Sequence, residues 1–294
     1  MLRATVIACA LAASACAQHP IPLDRRVEAT FPDAAQVTSL PHDLRVVTFN
    51  VHMEAGPVIL RGLESDPALR TADLILLEEV HRDEATLESC SGACYVGRAL
   101  GLHAIYAPGH VHGTGTDGVA ILSRAPILSA EVIELPYFDV HVNSGRRIAL
   151  AATLLIDGTP TTVYAVHLEN RVTVNDRGRQ LLPVLEHAQR QHTPVIIAGD
   201  FNTSPFTWIA HLLPIPTGTQ DDRLEALLRA HGFATPVTHS GPTSRFLRMK
   251  LDAIYTRGFD TLRFATAHAR DVSDHLALWA TLRSSDKSPV ISSR

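Results

Sequence analysis

Short runs of β-branched and apolar residues recur along most of the chain, and several stop abruptly at an acidic, amide or imidazole side chain. These runs are Leu44–Val51, Ala72–Leu77, His103–Ala107, Val119–Ser123, Ile148–Leu155, Thr161–His167, Val195–Ala198, Ala253–Thr256, Leu262–His268 and Leu276–Leu282. Their length suits strands. Helical periodicity is confined to a few intervals, chiefly Arg177–Gln191 and Asp221–His231, with further helices expected before Ala72 and around Arg82–Ser89. Many strands and few helices, without the strict alternation of a doubly wound parallel fold, predict an α/β (α+β) architecture. In it, two mixed β-sheets pack face to face and helices cover the outside.

With 294 residues, 46% of them hydrophobic, the chain can bury a full core without a disulfide scaffold. One domain is expected over residues 43–283. Ahead of it, residues 1–17 give a basic start, an apolar stretch and then small residues, which reads as an export signal too short to span a membrane. Two processing routes fit: cleavage at Ala13-Ser14-Ala15, or lipid attachment at Cys16 as in a bacterial lipoprotein. Both place the protein in the periplasm or outside the cell, the second with attachment to a membrane. Residues 18–42 read as a linker rich in proline and polar residues, and residues 284–294 as a tail that does not pack. Beyond the signal only Cys90 and Cys94 remain, and in an oxidising compartment they form a small disulfide loop.

The formal charge is −4 and lysine occurs only at Lys250 and Lys287, so no global positive field exists to hold a long polyanion. Small or locally gripped phosphates remain open, and arginine forks suit them.

The polar residues that end the apolar runs form an ordered series. It reads Asn50 and His52 after Thr48-Phe49, Glu78-Glu79 after Leu76-Leu77, His167 and Asn170, Asp200 and Asn202, Asp252, then Ser273-Asp274-His275. A strand end is rigid while its loop is open to water, so several such ends on one edge can hold a polar cluster in fixed geometry. With Gly118-Val-Ala-Ile-Leu-Ser-Arg124 between Glu79 and His167, the order resembles the endonuclease/exonuclease/phosphatase superfamily. That superfamily includes pancreatic-type deoxyribonucleases, abasic-site endonucleases, neutral sphingomyelinases and inositol polyphosphate phosphatases. The resemblance spans about residues 44 to 282, and its most specific pieces are Gly199-Asp-Phe-Asn202 and Ser273-Asp-His275.

The resemblance implies a four-layer, DNase I-like α/β sandwich and a hydrolase acting on phosphoester bonds with Mg²⁺ or Mn²⁺. A phosphodiester is already anionic, so attack by water needs charge neutralised, a proton removed and the leaving oxygen stabilised. Hard oxygen ligands suit Mg²⁺ and Mn²⁺. By this resemblance Glu79, Asn50 and Asp274 hold the metal, and Asp200 and Asn202 orient the attacking water and bind phosphate. His275 acts as general base or phosphate donor with Asp252 fixing its tautomer. His167 matches a second histidine of secreted deoxyribonucleases that aids the leaving group or grips phosphate, and Asp117 is positioned in sequence to orient it. His52 stands where some relatives carry a metal-binding Asp and is expected on phosphate instead. Glu78 stands where relatives often have Gln and reads either as an added acidic neighbour or as a solvated side chain. Arg171 is expected to clamp a phosphate, with Arg146 and Arg147 as further cations. His110, His112 and His141 show no ligand spacing for a transition metal.

Nucleic acid is slightly favoured as substrate over a phospholipid headgroup or an inositol phosphate. No apolar hairpin is visible, and the loops Ala107–Thr116, Pro136–Ser144 and Thr203–Gln220 carry no interpretable motif. A reading of another class, an inactive surface binding module, is disfavoured because Glu79, Asp200, Asn202, Asp252, Asp274 and His275 are all present.

Overall fold

The computed structural model describes residues 27–32, 37–83, 91–140, 145–218, 220–246, 248–269 and 272–285. In chain order the elements are β1 (Glu28–Thr30), β2 (Asp43–Asn50), α1 (Gly56–Glu64), α2 (Pro67–Arg70), β3 (Leu74–Asp83), α3 (Ser91–Leu100), β4 (His103–His112), β5 (Gly115–Ser123), β6 (Ile127–Glu134) and β7 (Ile148–Ile156). They continue with β8 (Thr159–His167), α4 (Val174–Gln189), β9 (Val195–Asp200), β10 (Phe206–Ile209), β11 (Leu213–Pro216), α5 (Asp221–Ala230), β12 (Asp252–Arg257), β13 (Phe259–Ala267) and β14 (Ala277–Ser284).

Seven strands form one mixed sheet in the order β1-β4-β5-β3-β2-β14-β13, and five form a second in the order β12-β9-β8-β7-β6. In each sheet one parallel pair, β2–β3 or β8–β9, sits among antiparallel neighbours. Successive strand side chains point to opposite faces, and both faces of the central strands β2 and β3 are covered, so these strands are largely apolar. Leu44 and Val46 of β2 and Leu74 and Leu76 of β3 join the core shared with the smaller sheet. Their neighbours Val47, Phe49, Ile75 and Leu77 pack instead with Ile59 and Leu63 of α1 and Val96 of α3. On α4, Leu181, Val184, Leu185 and Ala188 recur at helical spacing and join the core of the smaller sheet, as do Leu224 and Leu228 of α5. The expected helix, sheet, sheet and helix layering is thus present.

Part of the segment read as linker is structured. Ala29 of β1 pairs with Ile105 on the edge of the larger sheet, and buried Leu40 bridges to Ile156. The helix expected around Arg82–Ser89 is not formed at its start: Arg82 and Asp83 end β3, paired with Thr116 and Gly115. Residues 84–90 lie outside the described residues, and α3 begins at Ser91. The ladder to β5 lets β3 run on past the acidic pair, which sequence alone does not reveal. Strand β6 and the β10–β11 hairpin were likewise not expected. Cys94 is buried on α3 and disulfide-bonded. Cys90, Cys16, the export signal 1–17, residues 18–26 and 33–36 of the linker, and tail residues 286–294 lie outside the described residues. Among the described residues, no helix is long and apolar enough to cross a membrane.

Gly199 has a specific packing role. It pairs with Val166 in the parallel β8–β9 ladder, and a Cβ placed there would lie 1.8 Å from the Val166 carbonyl oxygen. Gly199→Ala must therefore push the two strands apart. Its expected cost is about 3 kcal/mol, read as a lower urea midpoint at unchanged m-value; an unchanged midpoint would show that the ladder relaxes freely.

Candidate active site

Strand register assembles the site. Parallel β8 and β9 end together with His167 opposite Asp200, and antiparallel β12 begins with Asp252 opposite the same Asp200. In the larger sheet, parallel β2 and β3 bring Asn50 opposite Glu78. One residue later the β3–β5 register shifts between Leu77 and Val80. Leu77 and Val80 both face the helices although three apart, so an extra residue breaks the alternation. Such a bulge re-aims a side chain, and Glu79, with φ of +52°, is the residue turned out of the ladder.

The two sheets meet through Asn50. Its Nδ2 donates to Glu79 Oε1 at 3.1 Å and to Asp200 Oδ2 at 3.1 Å, while its Oδ1 accepts from the His52 backbone N–H at 3.0 Å. Asp200 Oδ1 accepts from the Asn202 backbone N–H at 2.9 Å, and Asn202 Nδ2 donates to the Leu168 carbonyl at 2.9 Å. His275 lies on the other side, with Nδ1 2.9 Å from Asp252 Oδ2 and Nε2 3.8 Å from Asp200 Oδ2. Local bonds fix this pair: the Thr243 hydroxyl accepts from the Asp252 backbone N–H at 3.0 Å, and the Ser273 hydroxyl accepts from that of His275 at 3.0 Å. His167 Nε2 sits 3.7 Å from both Glu79 Oε1 and Asp200 Oδ2. Its Nδ1 is 3.0 Å from Arg147 Nη1, and Arg147 Nε donates to Glu169 Oε2 at 3.2 Å.

Burial sets the charges. It favours neutral imidazole at His275, but Asp252 and Asp200 outweigh it and raise the pKa well above the ordinary value. At His167 burial and the neighbouring Arg147 act together and push the pKa well down. Burial raises Asp200 to about 7, against the opposing pull of His275. Burial, with Asp252 adding to it, also raises Glu78 well above the carboxylate range. Glu78 is therefore no solvated side chain: it is fully buried, its Oε1 accepts from the Thr48 hydroxyl at 2.9 Å, and its Oε2 has no hydrogen-bond partner among the described residues.

These groups open into one cavity of about 650 Å³. Glu79, His167, Asp200, Asn202 and His275 line it, with His52 and Asp274 also on its wall. Asp274 is exposed, and Asp252 is buried behind His275. Glu79 and Asp200 both meet the Asn50 amide and face the cavity, so hard carboxylate oxygens are available there for Mg²⁺ or Mn²⁺. The ligating atoms of Asp200, Asp252 and His275 also lie within 4.8 Å of one another.

Arg171 is not among the cavity-lining residues. Its guanidinium stacks over the Trp208 ring at 5.3 Å, and Arg147 is the arginine that reaches the cavity. Asp117 does not orient His167; its hydrogen bond is to His81 Nδ1 at 3.1 Å. Sequence reasoning also missed the β10–β11 hairpin, whose Phe206, Trp208 and Pro214 line the cavity with Phe246. Pro214 and Pro216 lie within its second strand and made the segment read as loop, because proline survives only on edge strands. The alternation in Phe206-Thr-Trp-Ile209 was the available signal.

The fold and the family relation are found independently in known proteins. An endonuclease/exonuclease/phosphatase from Beutenbergia cavernae superposes with a TM-score of 0.67 at 22% identity, over 84% of this chain and 73% of its own. The D. rerio TDP2 complex with single-strand DNA product gives 0.57 at 19% identity, over 82% and 99%. ANGEL2, a 2′,3′-cyclic phosphatase, in complex with adenosine-2′,3′-vanadate, gives 0.58 at 16% identity, over 88% and 99%. No curated protein matches the sequence. The profile of the Endonuclease/Exonuclease/phosphatase family matches residues 47–275. The chain therefore belongs to the endonuclease/exonuclease/phosphatase family of phosphoester hydrolases.

Proposed function

We propose that the protein is an exported phosphodiesterase that cleaves short or single-stranded nucleic acid with the help of Mg²⁺ or Mn²⁺. The observation that carries this reading is the convergence of Glu79, Asp200, Asn202, His167 and His275 on one cavity. A divalent ion bound by Glu79 and Asp200 would supply Lewis-acid polarisation of the phosphoryl oxygens. Asp200 and the Asn202 side chain orient the attacking water; Asp200 takes its proton as the ester P–O bond breaks, and the leaving oxygen takes one from solvent water. The imidazolium of His275, held by Asp252, donates to a phosphoryl oxygen. On the opposite flank, Arg147 and His167 hold the remaining oxygens and face the leaving group.

Phe206, Trp208 and Phe246 offer flat surfaces beside these groups, which suits stacking of an unpaired base. The adenosine vanadate bound to ANGEL2 and the DNA strand bound to D. rerio TDP2 accord with that substrate class. A net charge of −4 argues against tracking along a long duplex. The export signal would place the activity outside the cytoplasm, either free or anchored through a lipid on Cys16.

A second reading, hydrolysis of a phospholipid headgroup, is favoured by one observation. Beside the cavity, the β10–β11 hairpin exposes Leu212 (55%) and Leu213 (65%) to solvent, with Phe246 (65%) nearby on the cavity wall. Such apolar tips suit a lipid surface.

Three measurements test these readings. Incubated with Mn²⁺, the mature domain is expected to cleave single-stranded oligonucleotides in preference to sphingomyelin vesicles; selective lipid turnover would establish the second reading instead. His275→Ala is expected to lower kcat by about 10³-fold with an unchanged circular dichroism spectrum, and near-normal turnover would remove His275 from the chemistry. The third concerns metal affinity. A carboxyl with a pKa of about 7 keeps its proton below that pH, and a cation must displace it. Mn²⁺ affinity measured by calorimetry should therefore rise about tenfold per pH unit from about pH 5 to pH 7 and then level off. Asp200→Asn should flatten that slope; a plateau already reached near pH 5 would show that Asp200 is not a ligand with a raised pKa.

A further inference from the structure

On the cavity wall formed by the larger sheet, Asp117 of β5 is flanked by histidines on both neighbouring strands. His81 of β3 pairs directly opposite it on one side and His110 of β4 on the other, with His112 two residues further along β4. Cross-strand partners and i, i+2 neighbours share one face of a sheet, so all three imidazoles converge on one carboxylate. The Asp117 side chain is only 5% exposed. One imidazole makes a hydrogen bond, His81 Nδ1 to Oδ1 at 3.1 Å. The other two approach Oδ2 without bonding it, His112 Nδ1 at 3.5 Å and His110 Nε2 at 3.9 Å. Both separations exceed a hydrogen bond. They are close to the spacing of about 3.4 Å that two ligands 2.0–2.2 Å from one tetrahedral ion must keep.

We propose that His110, His112 and Asp117 form a second metal site, taking a divalent transition-metal ion such as Zn²⁺. Two imidazoles and a carboxylate suit borderline ions, whereas the all-oxygen donors Glu79 and Asp200 suit Mg²⁺ or Mn²⁺. The ligating atoms of the three residues lie within 4.8 Å of one another. His81 is a positioning residue: it fixes the second oxygen of Asp117 and so aims Oδ2 between the two ligand histidines. All three ligands line the same cavity as His167 and Asp200, so an ion held there adds positive charge to the wall that faces substrate.

The test is metal binding, which does not depend on any assigned activity. Mature protein saturated with Mg²⁺ is titrated with Zn²⁺ by calorimetry and with Co²⁺ by visible absorption. One equivalent of Zn²⁺ is expected, with a Co²⁺ spectrum of low-coordinate, nitrogen-ligated type that Mg²⁺ does not displace. His110→Ala/His112→Ala should lose at least 100-fold in Zn²⁺ affinity, and His81→Gln should lose about 10-fold to 100-fold while binding the same number of ions. His112 is about half exposed, at 49%, so His112→Ala alone carries the comparison should the double variant not fold. His275→Ala, which alters the other cluster, should keep Zn²⁺ binding. Absence of Zn²⁺ binding by the unaltered protein would overturn the site. So would full affinity in a folded His112→Ala, or loss of binding only in His275→Ala.

Discussion

The parallel ladder between β8 and β9 fixes Asp200 opposite His167, and Asp252, Asn50 and Asn202 are placed relative to that carboxylate. Asp252 reaches it by antiparallel pairing, Asn50 by a hydrogen bond across the sheets, and Asn202 by a backbone N–H two residues on. The ladder in turn needs a residue without a side chain at position 199, where a Cβ would strike the Val166 carbonyl. A slip of β9 by one residue in this register would turn Asp200 to the opposite face from its present partners and dismantle the site.

Concentrating carboxylates in a buried seam between two sheets is costly unless their charge is neutralised. Glu78, Asp200 and Asp252 lie almost entirely out of water there, with Glu79 beside them at the cavity. The fold answers this in three ways: Glu78 is pushed toward its neutral form, His275 is pushed toward its charged form, and the Asn50 amide spans Glu79 and Asp200. A divalent cation supplied to the same oxygens would complete the compensation. Groups with pKa values moved in opposite directions, close together and open to one cavity, are the electrostatic mark of a catalytic site.

The family relation and the substrate reading rest on different parts of the molecule. The strand ends bring the carboxylates and imidazoles to the cavity, while the hairpin, Phe246 and the histidine cluster around Asp117 form its surrounding walls. Substrate choice in such a fold is a property of those walls.

The sequence by itself determined the predominance of strands over helices, the two-sheet architecture and the order of the polar strand ends from Asn50 to His275. These follow from local periodicity and from residue chemistry that needs no partner to be recognised. Only the tertiary structure decided which of those ends touch. It brought Asp200, Asp252 and His275 within reach of one another, left Arg171 on Trp208, put Arg147 on the cavity and buried Glu78. It also gathered His81, His110 and His112 around Asp117, although the histidines come from two strands and Asp117 from a third. The reason is physical: sheet register and bulges are set by cross-strand pairing over long sequence separations. A side chain's burial, charge and neighbours are therefore decided by strands that local sequence does not contain.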